Sequence, residues 1–411
     1  MNLKALTSAI LFASVPMTGA FAAAMDRSGQ SISAFLQPGN YFEAGISVLD
    51  ADVSGKMTDN YSNAASRGKE LGDMAESYYF PSAAIKLQPH EKISVGLIYD
   101  QPFGAEAKYK LEHGAFNANI NQVNTPTEVE VKTQNLNFLV GYQPTENWNF
   151  YGGAVYQTVK GDIQLAGTAY SLFSGYKASI EEDSSVGWLA GAAFQIPEIA
   201  LKASVTYRSE IDHDVRAEES FTGLMNLSIY PQRLRTEGDT TITTPQSVNL
   251  DLQSGIMANT VAFAQLRWVD WSNFAIRPHQ FGEATQRPLV AGQTGKPQGF
   301  DLVAYEKDQI SANVGIGRKF NDQWAGTVMV GWDSGAGNPV STLGPTEGYW
   351  SVGLGGQFSP TPQTFLQAGV KYFMLGDAKS QVASDFGGDK YVANFEDNDA
   401  IGYSLKLGYR F

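Results

Sequence analysis

The last stretch of the chain, residues 401–411, constrains the fold most because its alternation of residue types is unbroken. Every odd position is apolar, and every even position from Gly402 to Arg410 is small or polar. A period of two is typical of a strand with one apolar and one polar face. The length suits the ~9–11 residues of a tilted strand that crosses a bilayer. Because unpaired amides are too costly in lipid, this strand is predicted to close a barrel by pairing with the first strand.

Composition supports an exported barrel and argues against several other classes of protein. The chain contains no cysteine, which excludes disulfides and thiolate metal sites, and its formal net charge of -13 argues against a nucleic-acid partner. Beyond residue 22 no apolar run reaches the ~18 residues that a membrane-spanning helix needs. Short alternating segments separated by turn residues are instead the pattern of an outer-membrane barrel.

The sequence divides into three regions. Residues 1–22 combine Lys4, an apolar run over 6–15 and the small-x-small site Ala20-Phe21-Ala22, which predicts a cleaved secretory signal peptide. Residues 23–40 have no clear period and are predicted to form a short N-terminal hatch, which either hangs in the periplasm or plugs the barrel. Its candidate residues are Phe35, Gln37, Pro38 and Gly39. Residues 41–411 are predicted to form the barrel, in the bacterial outer membrane.

The predicted fold is all-β, a 14-stranded antiparallel transmembrane β-barrel, and bacterial barrels have an even number of strands. Short connections rich in Pro, Asn and Asp would be periplasmic turns, and long connections would be extracellular. The long connections are expected at 50–78, 110–127, 164–184, 213–245, 275–300, 333–348 and 375–399. Tryptophans near strand ends suit aromatic girdles at the membrane interfaces; they are Trp148, Trp188, Trp268, Trp271, Trp324, Trp332 and Trp350.

The third strand carries the most informative irregularity. Its odd positions from Ile93 to Tyr109 are apolar except for Gln101, so the register is expected to continue through Pro102. Proline lacks an amide proton and removes a ladder bond from a strand, and Gly104 adds freedom nearby. The pattern therefore predicts a kink or gap in the wall, with the alternative that the strand ends and a loop begins. The residues of this predicted lateral opening are Asp100, Gln101, Pro102, Phe103 and Gly104.

Two long outer loops contain apolar side chains that exposed loops do not need. One interpretation is a hydrophobic groove between two short helices that captures a ligand, and the other is that these residues pack the loops together. The candidates in the first loop are Leu165, Tyr170, Leu172, Phe173 and Tyr176. Those in the second are Phe221, Leu224, Met225, Leu227 and Ile229.

Alternation also places cationic side chains inside the barrel. Lys202 and Arg208 alternate with apolar residues, and Arg267 lies opposite Leu266 and Trp268. These cations could contact a ligand carboxylate. The alternative is a lumen ion pair, for which Glu210, Asp251 and Glu43 are the acidic candidates. Phe263 also falls on the inward face, which suits an apolar path.

The remaining polar residues do not indicate a catalytic or metal site. The histidines His90, His113, His213 and His279 are scattered over turns and loops. His213, beside Asp212 and Asp214, is the one candidate for a catalytic pair, and no strand-borne nucleophile accompanies it. No enzyme activity, metal or cofactor is therefore expected. The acidic loop around Glu396 could bind divalent ions that bridge lipopolysaccharide, or could simply be solvated.

Several motifs, through their order and spacing together, resemble those of the FadL family, the outer-membrane channels for long-chain fatty acids and aromatic hydrocarbons. They are Ala203-Ser-Val-Thr-Tyr-Arg-Ser-Glu-Ile211, Trp268-Val-Asp-Trp-Ser-Asn-Phe274, Asn135-Leu-Asn-Phe-Leu-Val-Gly-Tyr142 with Asn147-Trp-Asn-Phe150, Gln323-Trp324 with Gly331-Trp-Asp-Ser334, and Tyr409-Arg-Phe411. The resemblance covers roughly residues 41–411. It implies fourteen strands, an N-terminal hatch, an apolar path, capture by outer loops and lateral exit through a kinked third strand.

One departure concerns the hatch. The family's plug is about twice as long and carries an Asn-Pro-Ala element, whereas residues 23–40 offer Gln37-Pro38-Gly39. The resemblance implies a monomeric channel for passive uptake of hydrophobic compounds, with long-chain fatty acids as the first substrate class. Aromatic hydrocarbons, alkanes and a general diffusion porin are the alternatives. The expected partners are a hydrophobic small molecule, outer-membrane lipid and lipopolysaccharide.

Overall fold

Fourteen antiparallel strands form a closed barrel, which confirms the predicted fold. The structure, a computed structural model, describes residues 25–58, 68–110, 114–120, 122–222 and 236–411. The strands are β1 (Tyr41–Asp52), β2 (Tyr78–His90), β3 (Ile93–Asp100 and Gly104–Lys108), β4 (Glu128–Tyr142), β5 (Trp148–Leu165), β6 (Tyr176–Ile196), β7 (Leu201–Arg208 and Ile211–Phe221), β8 (Thr236–Thr244 and Ser247–Met257), β9 (Thr260–Val269), β10 (Gln309–Lys319), β11 (Trp324–Asp333), β12 (Tyr349–Phe358), β13 (Thr364–Leu375) and β14 (Asp399–Arg410).

The last strand closes the barrel by pairing with the first, as its alternation predicts. Phe42 on β1 lies opposite Tyr409 on β14 and opposite Ile85 on β2. Odd residues of β14 such as Leu405 are exposed to lipid, whereas Lys406 is buried on the inner face. There its Nζ lies 3.0 Å from Oε1 of Glu43. Closure of the sheet removes the edges that would otherwise leave amides unsatisfied in the membrane.

Aromatic residues occupy both rims of the lipid-facing surface, with one exception. Trp148, Trp188, Trp324, Trp332 and Trp350 are exposed there, as the girdle prediction requires. Trp271 is 0% exposed and lies inside the barrel, so its assignment to a girdle is wrong. It follows β9 and turns inward, where its Nε1 donates to Gln309 Oε1 over 2.8 Å.

Strands β5 to β8 are longer than expected because alternation continues beyond the membrane. Strand β6 has 21 residues, about twice the ~9–11 that a bilayer requires. Its outward positions change from Trp188 to Glu182 and Lys177, while Ile180 and Ala178 remain buried on the inner face. Much of the predicted loops 164–184 and 213–245 is therefore strand, and this side of the barrel projects into the extracellular space.

The other outer loops form small elements over the mouth. Two helices, α1 (His279–Thr285) and α2 (Pro288–Thr294), occupy the loop after β9. Three loops together contribute a small sheet made of Gly55–Met57, Ala393–Phe395, Ala378–Gln381 and Val340–Ser341. The remaining elements are the hairpin Asn117–Ile120 and Val123–Pro126, the pair Ala275–Ile276 and Val303–Ala304, and the 3-10 turns Thr168–Phe173, Pro197–Ile199 and Ala383–Asp385. None of the helices in the described ranges is long and apolar enough to cross a membrane.

The hydrophobic core fills the inside of the barrel in two layers. One cluster occupies the extracellular half, from Met25 and Phe103 up to Phe395. The second lies toward the periplasmic end and includes Phe35 and Phe365. Residues 25–40, called here the N-terminal segment, contribute to both clusters, so this segment lies within the lumen. Residues 1–24, and with them the predicted signal peptide, are outside the described residues.

Candidate functional site

The N-terminal segment is held in the lumen by Phe35, which is 1% exposed. Its ring lies against the backbone of Gly96 on β3 and Gly141 on β4, and 6.0 Å from the ring of Tyr151. A Cβ at Gly96 would lie 2.5 Å from Cδ2 of Phe35, so the close approach requires glycine at that position. Phe35, predicted as part of a hatch, is thus buried against the barrel wall.

The other predicted hatch residues form the turn into β1. The backbone carbonyl of Gln37 accepts a hydrogen bond from Lys86 Nζ over 2.5 Å. The side-chain amide of Gln37 donates from Nε2 to the carbonyl of Ser33 over 3.1 Å. Pro38 and Gly39 are exposed at the periplasmic end. Gly39 has a φ of 65°, which suits glycine, and its N–H donates to Gln88 Oε1 over 3.1 Å.

A buried ion pair anchors the start of the segment to β9. Arg267 Nε lies 2.7 Å from Asp26 Oδ2, and the two residues are 4% and 3% exposed. Arg267 also donates to Asn249 Oδ1 over 2.7 Å and to Gln30 Oε1 over 2.9 Å. The alternative of a lumen ion pair therefore applies to Arg267, although Asp26 was not among the acidic residues considered. The adjacent charges Asp26-Arg27 in an otherwise uncharged stretch were the signal for this contact.

Arg208 differs from Arg267 because two of its guanidinium nitrogens lack hydrogen-bond acceptors among the described residues. The residue is 5% exposed on β7, and its Nε and Nη1 have no hydrogen-bond partner among the described residues. Ser247, which is paired with Arg208 across the sheet, accepts a bond from Arg267 Nη1 over 3.2 Å, so the two arginines lie on either side of it. Buried donors without acceptors are rare and costly in folded proteins. Arg208 is therefore a candidate contact for a ligand acceptor.

The other two predicted lumen residues also point inward, with different surroundings. Lys202 Nζ donates to the carbonyl of Leu36 over 2.8 Å, which ties the N-terminal segment to β7. Phe263 is buried and lies over Gly315 of the neighbouring strand β10. These contacts bring Lys202 to the segment, whereas Phe263, two strands away across Gln253 of β8, packs against β10.

Strand β3 is interrupted at the predicted position. The register between β2 and β3 ends at the pair Ala83 and Tyr99 within the described range 68–110. The strands meet again where Tyr78 Oη donates to the carbonyl of Glu106 over 2.6 Å and Ala75 bridges Ala107. The stretch of wall between these two contacts, from Asp100 to Ala105 on the β3 side, is called here the window.

The N-terminal segment occupies the inner side of the window. Gly104 N–H donates to the carbonyl of Met25 over 2.9 Å, and Arg27 N–H donates to the carbonyl of Pro102 over 2.7 Å. Arg27 Nε reaches the carbonyl of Gly104 over 2.8 Å, and a Cβ at Gly104 would lie 2.6 Å from the Arg27 Cζ. Asp100 accepts from Ser28 Oγ over 2.6 Å. Residues 25–28 therefore replace the missing strand partner.

The expectation that one register runs through Pro102 is wrong. Odd residues before the window, such as Ile93 and Val95, are exposed to lipid, whereas Phe103 and Ala107 beyond it are buried on the inner face. The interruption shifts the alternation by one residue, which moves every following side chain to the other face. Gln101 is half-buried, and its amide donates to the hydroxyl of Tyr99 over 3.1 Å.

Phe103 lines a small apolar pocket above the N-terminal segment. Its ring lies 5.3 Å from that of Trp271, and Met25, Ile180 and Phe274 complete much of the lining. The pocket measures about 20 Å³, which is close to the space that one water molecule needs. An apolar ligand would need side chains to move apart before it could bind here. Met25 was not singled out from the sequence, and Trp271 was assigned to an aromatic girdle instead of to this pocket.

The apolar outer-loop residues pack together rather than line an open groove. Tyr170, Phe173, Tyr176 and Phe221 are buried in the extracellular core, with Leu165 beside them and Leu172 packed against it. The described part of these loops holds the 3-10 turn Thr168–Phe173 and strand ends, so the expected pair of helices is not found there. The remaining residues, Leu224, Met225, Leu227 and Ile229, lie outside the described residues.

A buried carboxylate ties this outer core to α1. Glu219 accepts from the N–H groups of Gln280 and Phe281, both over 2.7 Å, and from Tyr176 Oη over 2.8 Å. A carboxylate at a helix start satisfies free N–H groups and complements the helix dipole. Burial raises the pKa of Glu219, while these bonds oppose the rise. Glu219 lies beyond the membrane-spanning part of β7, and the sequence did not single it out.

His213 does not form a catalytic arrangement with its sequence neighbours. It is buried, with Nδ1 3.1 Å from Asp183 Oδ2 and Nε2 3.0 Å from Gln157 Oε1. Asp212 and Asp214 point outward and accept from Thr243 and Thr241. Burial lowers the pKa of His213, which Asp183 partly opposes. No cluster of potential metal ligands occurs among the residues that the structure describes.

Comparison with known proteins identifies the fold. Structures similar over nearly the whole chain include a FadL homologue of Pseudomonas aeruginosa, with a TM-score of 0.69, 15% identity and coverage of 92% of both chains. The toluene transporter TodX of P. putida has a TM-score of 0.61, 11% identity and coverage of 95% of this chain and 94% of its own. The Ralstonia pickettii toluene transporter TbuX has a TM-score of 0.56, 14% identity and coverage of 98% and 99%.

At these identities the likeness concerns the fold, and the family is shown by the sequence. No curated protein matches the chain. The family described as outer membrane protein transport protein (OMPP1/FadL/TodX) matches residues 22–411. The chain therefore belongs to the OMPP1/FadL/TodX family of bacterial outer-membrane transport proteins.

Proposed function

We propose that this chain is a channel for passive uptake of long-chain fatty acids. The outer loops would capture the molecule, the lumen would lead it past the N-terminal segment, and the window would release it sideways into the membrane. The observation that carries the choice of substrate is Arg208, whose Nε and Nη1 are buried without acceptors among the residues that the structure describes. A carboxylate offers two oxygens in the geometry that a guanidinium binds.

The apolar part of the ligand would occupy the pocket that Phe103 and Trp271 line. That pocket is largely closed, so binding would push Met25 and the start of the N-terminal segment aside. The same residues fill the inner side of the window, through the bonds from Gly104 N–H and Arg27 N–H. Ligand binding and opening of the window would therefore be coupled through residues 25–28.

Aromatic hydrocarbons or alkanes taken up by the same route are the second candidate. The rings of Phe103, Trp271 and Phe274 surround the small pocket and would suit an uncharged aromatic ligand. The structural likeness to two toluene transporters agrees with this choice. Such ligands have no carboxylate and would not need Arg208. A general diffusion porin is disfavoured, because the N-terminal segment and the core fill the lumen.

The proposal has consequences for processing and surroundings. Residues 1–22 would be removed as a signal peptide, and residues 25–40 would act as the hatch. A single chain closes the barrel, so transport would need one copy. The lipid-facing belt would contact membrane lipid, and the charged outward positions of β5 to β8 would face lipopolysaccharide. The channel would act without enzymatic activity, metal or cofactor.

Uptake of two labelled compounds tests the substrate class. Cells without their own fatty-acid channel would express the native chain, Arg208→Gln or Arg208→Lys, with Lys177→Gln on the outer surface as the matched control. Arg208→Gln should lower oleate uptake about tenfold or more, as expected when hydrogen bonds to a charged group are lost. Toluene uptake should not change, and Arg208→Lys should retain part of the oleate uptake.

Two results would contradict the fatty-acid proposal. One is native transport of toluene without transport of oleate, which would favour the hydrocarbon candidate. The other is equal oleate uptake by the native chain and Arg208→Gln. Heat-dependent mobility in gels, a property of folded outer-membrane barrels, would show that each variant is folded and present in the membrane.

A further inference from the structure

A second cavity lies at the periplasmic end of the barrel and has no part in the proposed uptake route. It measures about 410 Å³, within the range of ~300–1,000 Å³ that ligand sites occupy. Ile32 and Leu36 of the N-terminal segment, with Ala193 and Leu201 of the wall, form its apolar side. Its mouth includes residues of the short turns at 143–147 and 197–200, which places the opening on the periplasmic side.

Two ammonium groups face this cavity from different strands. Lys202 Nζ donates to the carbonyl of Leu36 over 2.8 Å. Lys86, which is 3% exposed, donates to the carbonyl of Gln37 over 2.5 Å and to Gln88 Oε1 over 3.3 Å. These acceptors are all uncharged, and each ammonium has three N–H donors. Both lysines therefore keep donors for a further acceptor within the described part of the chain.

Asp251 partly offsets the charge of Lys202, but no carboxylate among the described residues forms an ion pair with either lysine. Both oxygens of Asp251 accept hydrogen bonds, from Ser204 Oγ over 3.3 Å and from Gln265 Nε2 over 3.0 Å. Glu146 and Glu198 are exposed on the turns at the mouth, where solvent screens them. The ammonium of Lys202 acts on that of Lys86. Two like charges in a sheltered site favour an anion between them.

We propose that the periplasmic cavity binds an amphiphilic carboxylate that reaches it from the periplasm. The carboxylate would lie on Lys86 and Lys202, and its apolar chain would lie against Ile32, Leu36 and Leu201. Both lysines already hold the last turn of the N-terminal segment through backbone oxygens. A carboxylate bound there would join β2, β7 and the segment. Neither Arg208 nor the residues of the window line this cavity, so the site goes beyond the proposed uptake function.

The absence of cysteine from the chain permits a direct test. Ala193, which is buried and lines the cavity, would be changed to cysteine in the full barrel in lipid nanodiscs, where both ends are accessible. The rate of modification by methyl methanethiosulfonate would be measured with octanoate or with octanol, its uncharged match. Octanoate should slow the reaction by 1 + [octanoate]/Kd, about tenfold at nine times Kd, and octanol should not.

Charge variants identify where octanoate acts. Lys86→Gln with Lys202→Gln in the Ala193→Cys background should remove the protection, and Arg208→Gln should leave it intact. Equal protection by octanol, or protection that survives in the double lysine variant, would overturn the proposal. Loss of protection in Arg208→Gln alone would place octanoate in the lumen instead, which overturns this site and leaves the uptake proposal standing. The octanoate and octanol comparison needs no lysine substitution, so it remains decisive if the double variant does not fold.

Discussion

Asp26 and Arg267 form an ion pair between residues 241 positions apart, and it joins the N-terminal segment to the wall of the barrel. Removing one partner of a buried pair leaves an unpaired charge, which costs about 3–5 kcal/mol. We therefore expect Asp26→Asn to free the segment, seen as faster hydrogen exchange over 25–40 and as higher ion conductance in planar bilayers.

The double variant Asp26→Leu with Arg267→Met provides the control for this pair. Replacing both charges by apolar groups is often nearly neutral, so exchange and conductance should return toward the native values. If Asp26→Asn alone leaves both measurements unchanged, the ion pair does not hold the segment.

Phe35 and Gly96 test whether the segment depends on close packing. Gly96→Ala places a methyl group against the Phe35 ring and should weaken docking by about 1–3 kcal/mol. Adding Phe35→Leu should recover part of that loss, because the smaller side chain vacates the position. Hydrogen exchange over 25–40 measures both effects. Gly356→Ala is the matched control, since a Cβ there meets nothing within 4 Å. A loss of protection as large in Gly356→Ala would exclude a specific contact with Phe35.

A disulfide across the edge of the window tests lateral release. Ala83 and Tyr99 are the last paired residues of β2 and β3, and Ile85 and Leu97 are paired two residues farther away. Paired residues lie about 4.5–5.5 Å apart, which suits a disulfide. Oxidised Ala83→Cys with Tyr99→Cys should lose most oleate uptake and recover it on reduction. The Ile85→Cys with Leu97→Cys control should transport in both states. Unchanged uptake in the oxidised first pair would argue against exit through the window.

Burial raises the pKa of Glu347, in the loop between β11 and β12, to about 7. The unfolded value is about 4.3, so the folded loop binds more protons than the unfolded loop between these pH values. Stability from this group is full below ~4.3 and is lost as the pH rises through 7. Lys307 opposes the rise in pKa, and Glu306 adds to it.

The pH values 5.5 and 8 lie on either side of the folded pKa of Glu347. Hydrogen exchange over 334–348, corrected for intrinsic rates, should therefore be slower at pH 5.5 than at pH 8. Glu347→Gln should give slow exchange at both values, because the amide stays neutral. Glu91→Gln, on a turn at the other end of the barrel, should keep the native dependence. A pH dependence that persists in Glu347→Gln would assign the effect to another group.

The sequence predicts the barrel well where lipid determines which residues face outward. β14 could be identified residue by residue, because Tyr403, Leu405 and Leu407 all meet hydrocarbon. β6 could not be followed to its end. Beyond the membrane its outward face becomes charged, as at Glu182 and Lys177, and that pattern suggested a loop.

The site was less predictable because its contacts depend on tertiary position. Alternation correctly placed Arg208 and Arg267 in the lumen. It could not show that Arg267 has an ion-pair partner, whereas Arg208 has nitrogens without acceptors among the described residues. Glu43, considered as a partner for these cations, pairs with Lys406 instead. The interruption at Pro102 was predictable from proline chemistry. The shift of register after it was not, because it depends on the segment that binds to the interrupted strand.

Two backbone hydrogen bonds, from Gly104 N–H to the Met25 carbonyl and from Arg27 N–H to the Pro102 carbonyl, join residues 25–28 to the interrupted strand. The same short peptide lies in the lumen and fills the inner side of the gap in the side wall. Displacement of that peptide would therefore open the lumen and the window at the same time. Leakage of ions and sideways delivery of lipid should rise and fall together across any series of variants. Selection for a tighter seal would be, at the same time, selection for slower delivery.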